Sequence, residues 1–116
     1  MKTALLGIDV GTSACKVAAF DLEGRVLAQA AESYPVLYPQ PGWAEQDPQQ
    51  WWEAVCRALR RLWESGAVAP GEVAGVGIDG QSWSAIPLDK EGRALCNTPI
   101  WICLLYTSPS PRDMRR

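Results

Sequence analysis

The chain has 116 residues, enough for one small domain with a single core. Hydrophobic residues make up 47% and charged residues 21%, and the net charge of -2 offers no concentrated basic surface for nucleic acid. No histidine is present, which excludes Ser-His and Cys-His nucleophilic catalysis within the chain, and no apolar run approaches the ~20 residues of a membrane span.

Residues Thr3 to Ile8 form a short apolar run closed by Asp9 and Gly11, the pattern of a strand buried on both faces. Cys15 to Phe20 is a second such run, and Arg25 to Ala31 resumes after the turn residues Asp21-Leu22-Glu23-Gly24. The simplest reading is a three-stranded antiparallel meander with tight turns at Gly11-Thr12-Ser13 and Glu23-Gly24. Ser33 to Gln46 carries Pro35, Pro39 and Pro41 with Gly42 and reads as an extended loop.

A helix follows. Asp47 suits the N-cap, Pro48 the first helical position, and Gln50 the reciprocal place in a capping box. Trp52, Val55, Cys56, Leu59, Leu62 and Trp63 fall on one stripe, which predicts that Trp51, Trp52 and Trp63 serve helix–sheet packing. Ser65-Gly66 ends the helix. Val73 to Ile78 is another buried-type strand, and Trp83 to Leu88 and Ala94 to Cys96 flank a hairpin turn at Asp89-Lys90-Glu91-Gly92. This order predicts an α/β fold: a mixed sheet with antiparallel hairpins and one crossover helix.

From Cys103 the character changes. Residues 103–113 match the in-frame translation of a transposon-type sequencing adapter, with TGT-CTC-TTA-TAC-ACA-TCT giving Cys-Leu-Leu-Tyr-Thr-Ser and CCG-AGC-CCA-CGA-GAC giving Pro-Ser-Pro-Arg-Asp. Residues 103–116 are therefore read as a non-native tail, and the natural protein is expected to continue past Ile102. The four cysteines (Cys15, Cys56, Cys96 and Cys103) form no CxxC pair and read as small apolar residues. The N-terminus has no cleavable signal pattern, so a cytoplasmic location is expected, without membrane or nucleic-acid partners.

The chemistry concentrates near the start. A phosphate chain must approach backbone closely, which Gly11 permits, and a tight turn of amides makes a small anion nest. Thr12 and Ser13 add hydroxyl donors, and Lys16 on the returning strand could face a phosphate. Asp9 at the strand end is the candidate metal ligand, since magnesium prefers carboxylate oxygen and keeps its waters. No Walker A pattern is present. Residue pattern alone leaves an ordinary hairpin with a solvated lysine equally open.

The arrangement Asp-x-Gly-Thr-x-x-x-Lys after a buried strand resembles the first phosphate motif of the actin, Hsp70 and sugar kinase superfamily. Pro41-Gly42-Trp43-Ala44-Glu45-Gln46-Asp47-Pro48-Gln49-Gln50-Trp51-Trp52 is similar to the Gly-Trp-x-Glu-x-Asp-Pro-x-x-Trp-Trp segment of FGGY carbohydrate kinases. Ile78-Asp79-Gly80-Gln81-Ser82-Trp83 resembles their Gly-Gln sugar-contact segment, and Thr98-Pro99-Ile100-Trp101-Ile102 their Pro-Ile-x-Trp strand. Together these span residues 1–102, which the resemblance identifies as part of an FGGY N-terminal domain with a ribonuclease H-like fold. It implies transfer of the ATP γ-phosphoryl group to a sugar hydroxyl, with ATP and Mg²⁺ held by Asp9, Gly11, Thr12, Ser13 and Lys16.

For the sugar, the resemblance points to Gln81, Ser82 and Trp83, with Trp43 and Glu45 near the sugar cleft or covering a sheet edge. Asp79 remains open as a metal contact, a sugar contact or a strand-end cap. Xylulokinases are the subfamily most resembled, but they follow Gly-Gln with Met-His where this chain has Ser82-Trp83, so the sugar could differ. Glycerol kinases follow their Gln with charged residues. The catalytic base and adenosine pocket are implied to lie beyond Ile102, so the chain alone is expected to be inactive. A full-length form could be a homodimer. A non-catalytic actin-like or Hsp70-like nucleotide module would share only the first motif.

Overall fold

A computed structural model describes residues 2–81 and 84–102. Contacts divide the chain into two units, the first made of Met1–Tyr34 with Gln50–Gly80 and the second of Pro35–Gln49 with Gln81–Arg116.

The first unit holds a four-stranded mixed sheet in the order β3-β2-β1-β5. Strands β1 (Ala4–Val10), β2 (Ala14–Asp21) and β3 (Val26–Ser33) form the antiparallel meander anticipated from the sequence. Helix α1 (Pro48–Glu64) then leads through a short 3-10 turn, Pro70–Glu72, to β5 (Val73–Gly80), which pairs parallel with β1. A parallel neighbour needs a crossover, and α1 lies in that connection.

Alternation along the strands decides what α1 covers. Leu6, Cys15, Val17 and Ala19 are buried in one cluster with Ala54, Val55, Ala58 and Leu62 of the helix. The opposite sheet face, with Leu5, Asp9 and Lys16, is open. The expectation that β1 and β5 are buried on both faces is thus corrected. Leu5 is 43% exposed because among the described residues the helix covers one face only, and Ile78 is 72% exposed although the register sets it beside Ile8 on the covered face.

The helix stripe is also corrected. Trp51, Leu59 and Trp63 pack against the core as half-buried groups, but Trp52 is 63% exposed and Cys56 is not in the core. The inward line runs through Ala54 and Ala58, whose small side chains let the helix lie close to the sheet. A reading guided by bulky residues passes over them. The helix ends are as expected: Asp47 Oδ1 accepts the Gln49 N–H at 3.0 Å, and Gly66 at φ 77° follows the last turn.

Two turns share one device. In Asp21-Leu22-Glu23-Gly24-Arg25, Asp21 Oδ1 accepts the N–H groups of Glu23 and Arg25, each at 2.9 Å. In Asp89-Lys90-Glu91-Gly92-Arg93, Asp89 Oδ1 does the same for Glu91 and Arg93, again at 2.9 Å. The donated bonds hold Asp89 below its ordinary carboxylate range, the Arg93 amide foremost. Gly24 and Gly92 take the left-handed positions at φ 89° and 82°.

In the second unit, β4 (Glu45–Gln46) pairs antiparallel with β6 (Thr98–Pro99). The hairpin expected around Asp89–Gly92 is reduced, among the described residues, to a single bridge between Leu88 and Ala94. Pro87 has no N–H to extend a ladder, although its carbonyl accepts the Leu95 N–H at 2.9 Å.

Candidate functional site

Three of the candidate residues form a row across the open face of the first unit. The register sets Lys16 opposite Asp9 and Asp9 opposite Asp79, so one position on each of three adjacent strands carries a charge. All three line a cavity of ≈ 840 Å³ together with Gly7, Gln29 and Gly77. Glycines on this face leave it hollow; a Cβ at Gly77 would meet nothing within 4 Å.

Asp9 and Asp79 stand side by side in register on the adjacent strands β1 and β5. The Asp9 carboxyl beside it, through hydrogen bonding and then through its negative charge, raises Asp79 above its ordinary carboxylate value. Two carboxylates set side by side at a cavity rim repel when both ionise, and a divalent cation relieves the repulsion. The geometry thus adds Asp79 to Asp9 as a candidate metal ligand and brings it to the first unit's cavity, whereas Gln81 belongs to the second unit.

Gly11, Thr12 and Ser13 form the turn from β1 to β2, closed by the Gly11 N–H to the Ala14 carbonyl at 3.0 Å. Gly11 is needed for space: a Cβ there would lie 3.0 Å from the Ala14 carbonyl oxygen. Ser13 is exposed, and Gly11 and Thr12 are half-buried. Tyr34 lies behind the turn, buried, with its hydroxyl donating to the Gly11 carbonyl and its N–H donating to the Ser13 carbonyl at 3.1 Å. Burial pushes the Tyr34 phenol well above its ordinary range, so it is a protonated donor. No motif marked this residue in the sequence.

In the second unit, Gln81 donates through Nε2 to Gln46 Oε1 at 2.8 Å. Gln46 is 1% exposed and donates through its own Nε2 to the Pro35 carbonyl at 3.4 Å. Trp43 and Glu45, the sequence candidates, are half-buried and lie either side of buried Ala44. Glu45 exchanges two 2.8 Å backbone bonds with Leu37, and the Trp43 N–H donates to the Gln40 carbonyl at 3.0 Å. Ser82 and Trp83 lie outside the described residues. Gln46 was missed by sequence reasoning although it sits inside the Glu45-Gln46-Asp47-Pro48 segment; the signal was a polar residue in a strand-like position between two candidates. No group of three or more potential metal ligands occurs among the described residues, and no described helix is long and apolar enough to cross a membrane.

Residues 4–108 match the description "FGGY family of carbohydrate kinases, N-terminal domain". A glycerol kinase of Thermococcus onnurineus is 36% identical over 103 residues, covering 89% of this chain and 21% of that protein. A xylulose kinase of Escherichia coli is 40% identical over 96 residues, covering 83% of this chain and 19% of that protein. Among solved structures, one described as a xyloylose kinase from Brucella ovis superposes with a TM-score of 0.78 at 35% identity, covering 86% of this chain and 21% of that one. The chain therefore spans about a fifth of the length of the relatives it matches.

Proposed function

The chain belongs to the FGGY family of carbohydrate kinases, and from that premise we propose that it forms the phosphate-gripping and part of the sugar-contacting portion of an ATP-dependent sugar kinase. The observation that carries this reading is the row Lys16–Asp9–Asp79 on one cavity, next to the turn Gly11–Ser13. A lysine, a pair of carboxylates and a tight glycine turn are what a magnesium-bound phosphate chain requires.

Asp9 and Asp79 would hold the magnesium ion, directly or through its waters, and their oxygen donors and mutual repulsion fit a hard divalent cation. The ion, when bound, neutralises charge on the transferring phosphoryl group. Lys16 supplies a positive charge on the same face, and Thr12 and Ser13 supply hydroxyl donors at the turn. Gln81, held by Gln46, is the proposed sugar contact, with Ser82, Trp83, Trp43 and Glu45 as further candidates. The base that takes the hydroxyl proton is assigned to the part of the full-length protein outside this chain. Residues 103–116 are proposed to be a non-native tail.

The proposed acceptor is a xylulose-like ketose, supported by the 40% identity to a xylulose kinase. A polyol acceptor is the second reading, favoured by the 36% identity to a glycerol kinase over a slightly longer span. ATP-dependent phosphorylation by the full-length protein, measured with D-xylulose and with glycerol, separates the two. Loss of turnover in Asp9→Asn is expected with whichever acceptor is used; full turnover in that variant would refute the assigned grip.

A further inference from the structure

Tyr34 is a buried, protonated phenol for which the grip described above has no use. It is the first residue after β3 and is 6% exposed. Both of its hydrogen bonds go to the same short turn: the hydroxyl to the Gly11 carbonyl and the N–H to the Ser13 carbonyl. One residue thus holds carbonyls on either side of Thr12. In a trans peptide the C=O and the following N–H point in opposite directions, and the described chain has no cis peptide bonds. Turning the Gly11 carbonyl toward Tyr34 therefore turns the Thr12 N–H away from it. Holding the Ser13 carbonyl fixes the Ser13–Ala14 peptide plane in the same way.

We propose that Tyr34 is a positioning residue for the phosphate turn, presetting the Gly11–Thr12 and Ser13–Ala14 peptide planes so that the Thr12 N–H is oriented for the ATP phosphates before nucleotide arrives. The inference rests on the reading of that turn as a phosphate grip. It assigns the task to a side chain that never touches the nucleotide. A flexible turn would have to order itself on binding, and preorganisation removes that loss of freedom from the binding step.

The test uses Tyr34→Phe in the full-length protein. Phenylalanine keeps the ring and its packing and removes only the hydroxyl donor. The expected result is a rise of about five- to tenfold in KM for ATP, with KM for the sugar and the melting temperature little changed. Amide hydrogen exchange at Thr12 in the nucleotide-free protein should accelerate in parallel. Unchanged KM for ATP overturns the proposal, even if exchange accelerates, because the pin would then not serve phosphate binding. An equal rise in both KM values also overturns it, since that reports general loosening. If the wild-type protein fails to use ATP, the kinase reading itself falls and takes the role of Tyr34 with it; that failure is visible before any variant is compared.

Discussion

Asp9 and Asp79 stand in register on the adjacent parallel strands β1 and β5, and both line the same cavity. Nothing in sheet formation asks for two acids at this position, and like charges directly opposite weaken a strand pair. The arrangement is therefore a local conflict of the kind found at functional sites.

The conflict gives a stability prediction with a definite sign. The adjacent Asp9 carboxyl, through hydrogen bonding and then its charge, raises Asp79, so its charged form is disfavoured in the folded state. The contribution of Asp79 is fully present below its unfolded pKa and is lost as pH rises through the raised folded value. Asp79→Asn should accordingly raise the melting temperature at neutral pH, with the gain shrinking toward pH 4 and weakening in high salt, because the pair is exposed. In the full-length protein the same variant should lose magnesium-dependent activity. Thermal melts at two pH values and a magnesium titration check both halves.

A contrast between two glycines tests which parts of the cavity are tight. A Cβ at Gly11 would sit 3.0 Å from the Ala14 carbonyl oxygen, a backbone atom that can yield only by moving the turn. Gly11→Ala should cost about 1 kcal/mol of stability and weaken ATP binding roughly tenfold. Gly77 lines the same cavity, and a Cβ there meets nothing within 4 Å. Gly77→Ala should be neutral or stabilise by about 0.5 kcal/mol through reduced freedom of the unfolded chain. Denaturant melts of both variants decide the matter; equal losses would mean the turn is no tighter than the cavity floor.

These examples show what the sequence made legible. The meander, the cap at Asp47 and the turns at Gly24 and Gly66 depend on neighbours in the chain, and each was readable from local pattern. So was the placing of Asp9, Gly11 and Lys16 around one hairpin. The facing of α1 was misread because Ala54 and Ala58 bury well while carrying little hydrophobic weight. Tyr34 and Gln46 escaped notice because their partners lie 23 and 35 residues away and, for Tyr34, are backbone carbonyls that leave no trace in residue type. The register that joins Asp79 to Asp9 likewise exists only once β5 is docked beside β1.

The edge strand β3 is tied to the helix by ions. Glu32 accepts from Arg57 at 3.0 Å and from Arg61 at 2.6 Å, and Arg61 also donates to the Ala31 carbonyl at 2.8 Å. The Arg57 bond and then the Arg61 bond hold Glu32 below its ordinary value. Its contribution is present above the unfolded pKa and is lost as pH falls through the lowered folded value. Glu32→Gln should therefore lower the melting temperature at neutral pH and make no difference in strong acid. Arg61→Ala should lower it more than Arg57→Ala, since it removes a bond to the backbone as well. Melts of the three variants across pH test the order.

The bond from Gln81 to Gln46 carries the last prediction. Gln46 is almost fully enclosed, and its amide is fixed at both ends, the oxygen by Gln81 and the nitrogen by the Pro35 carbonyl. A buried amide held in this way fixes which side of Gln81 turns toward Gln46 and so which side is presented elsewhere. Gln46→Met retains the volume and removes the acceptor for Gln81 Nε2. If Gln81 contacts the sugar, the variant should raise KM for the sugar by about fivefold, roughly the worth of one buried hydrogen bond, and leave KM for ATP unchanged. Reversed sensitivity, with ATP affected and sugar spared, would remove Gln81 from the sugar site. Initial-rate kinetics with each substrate varied in turn distinguish the outcomes.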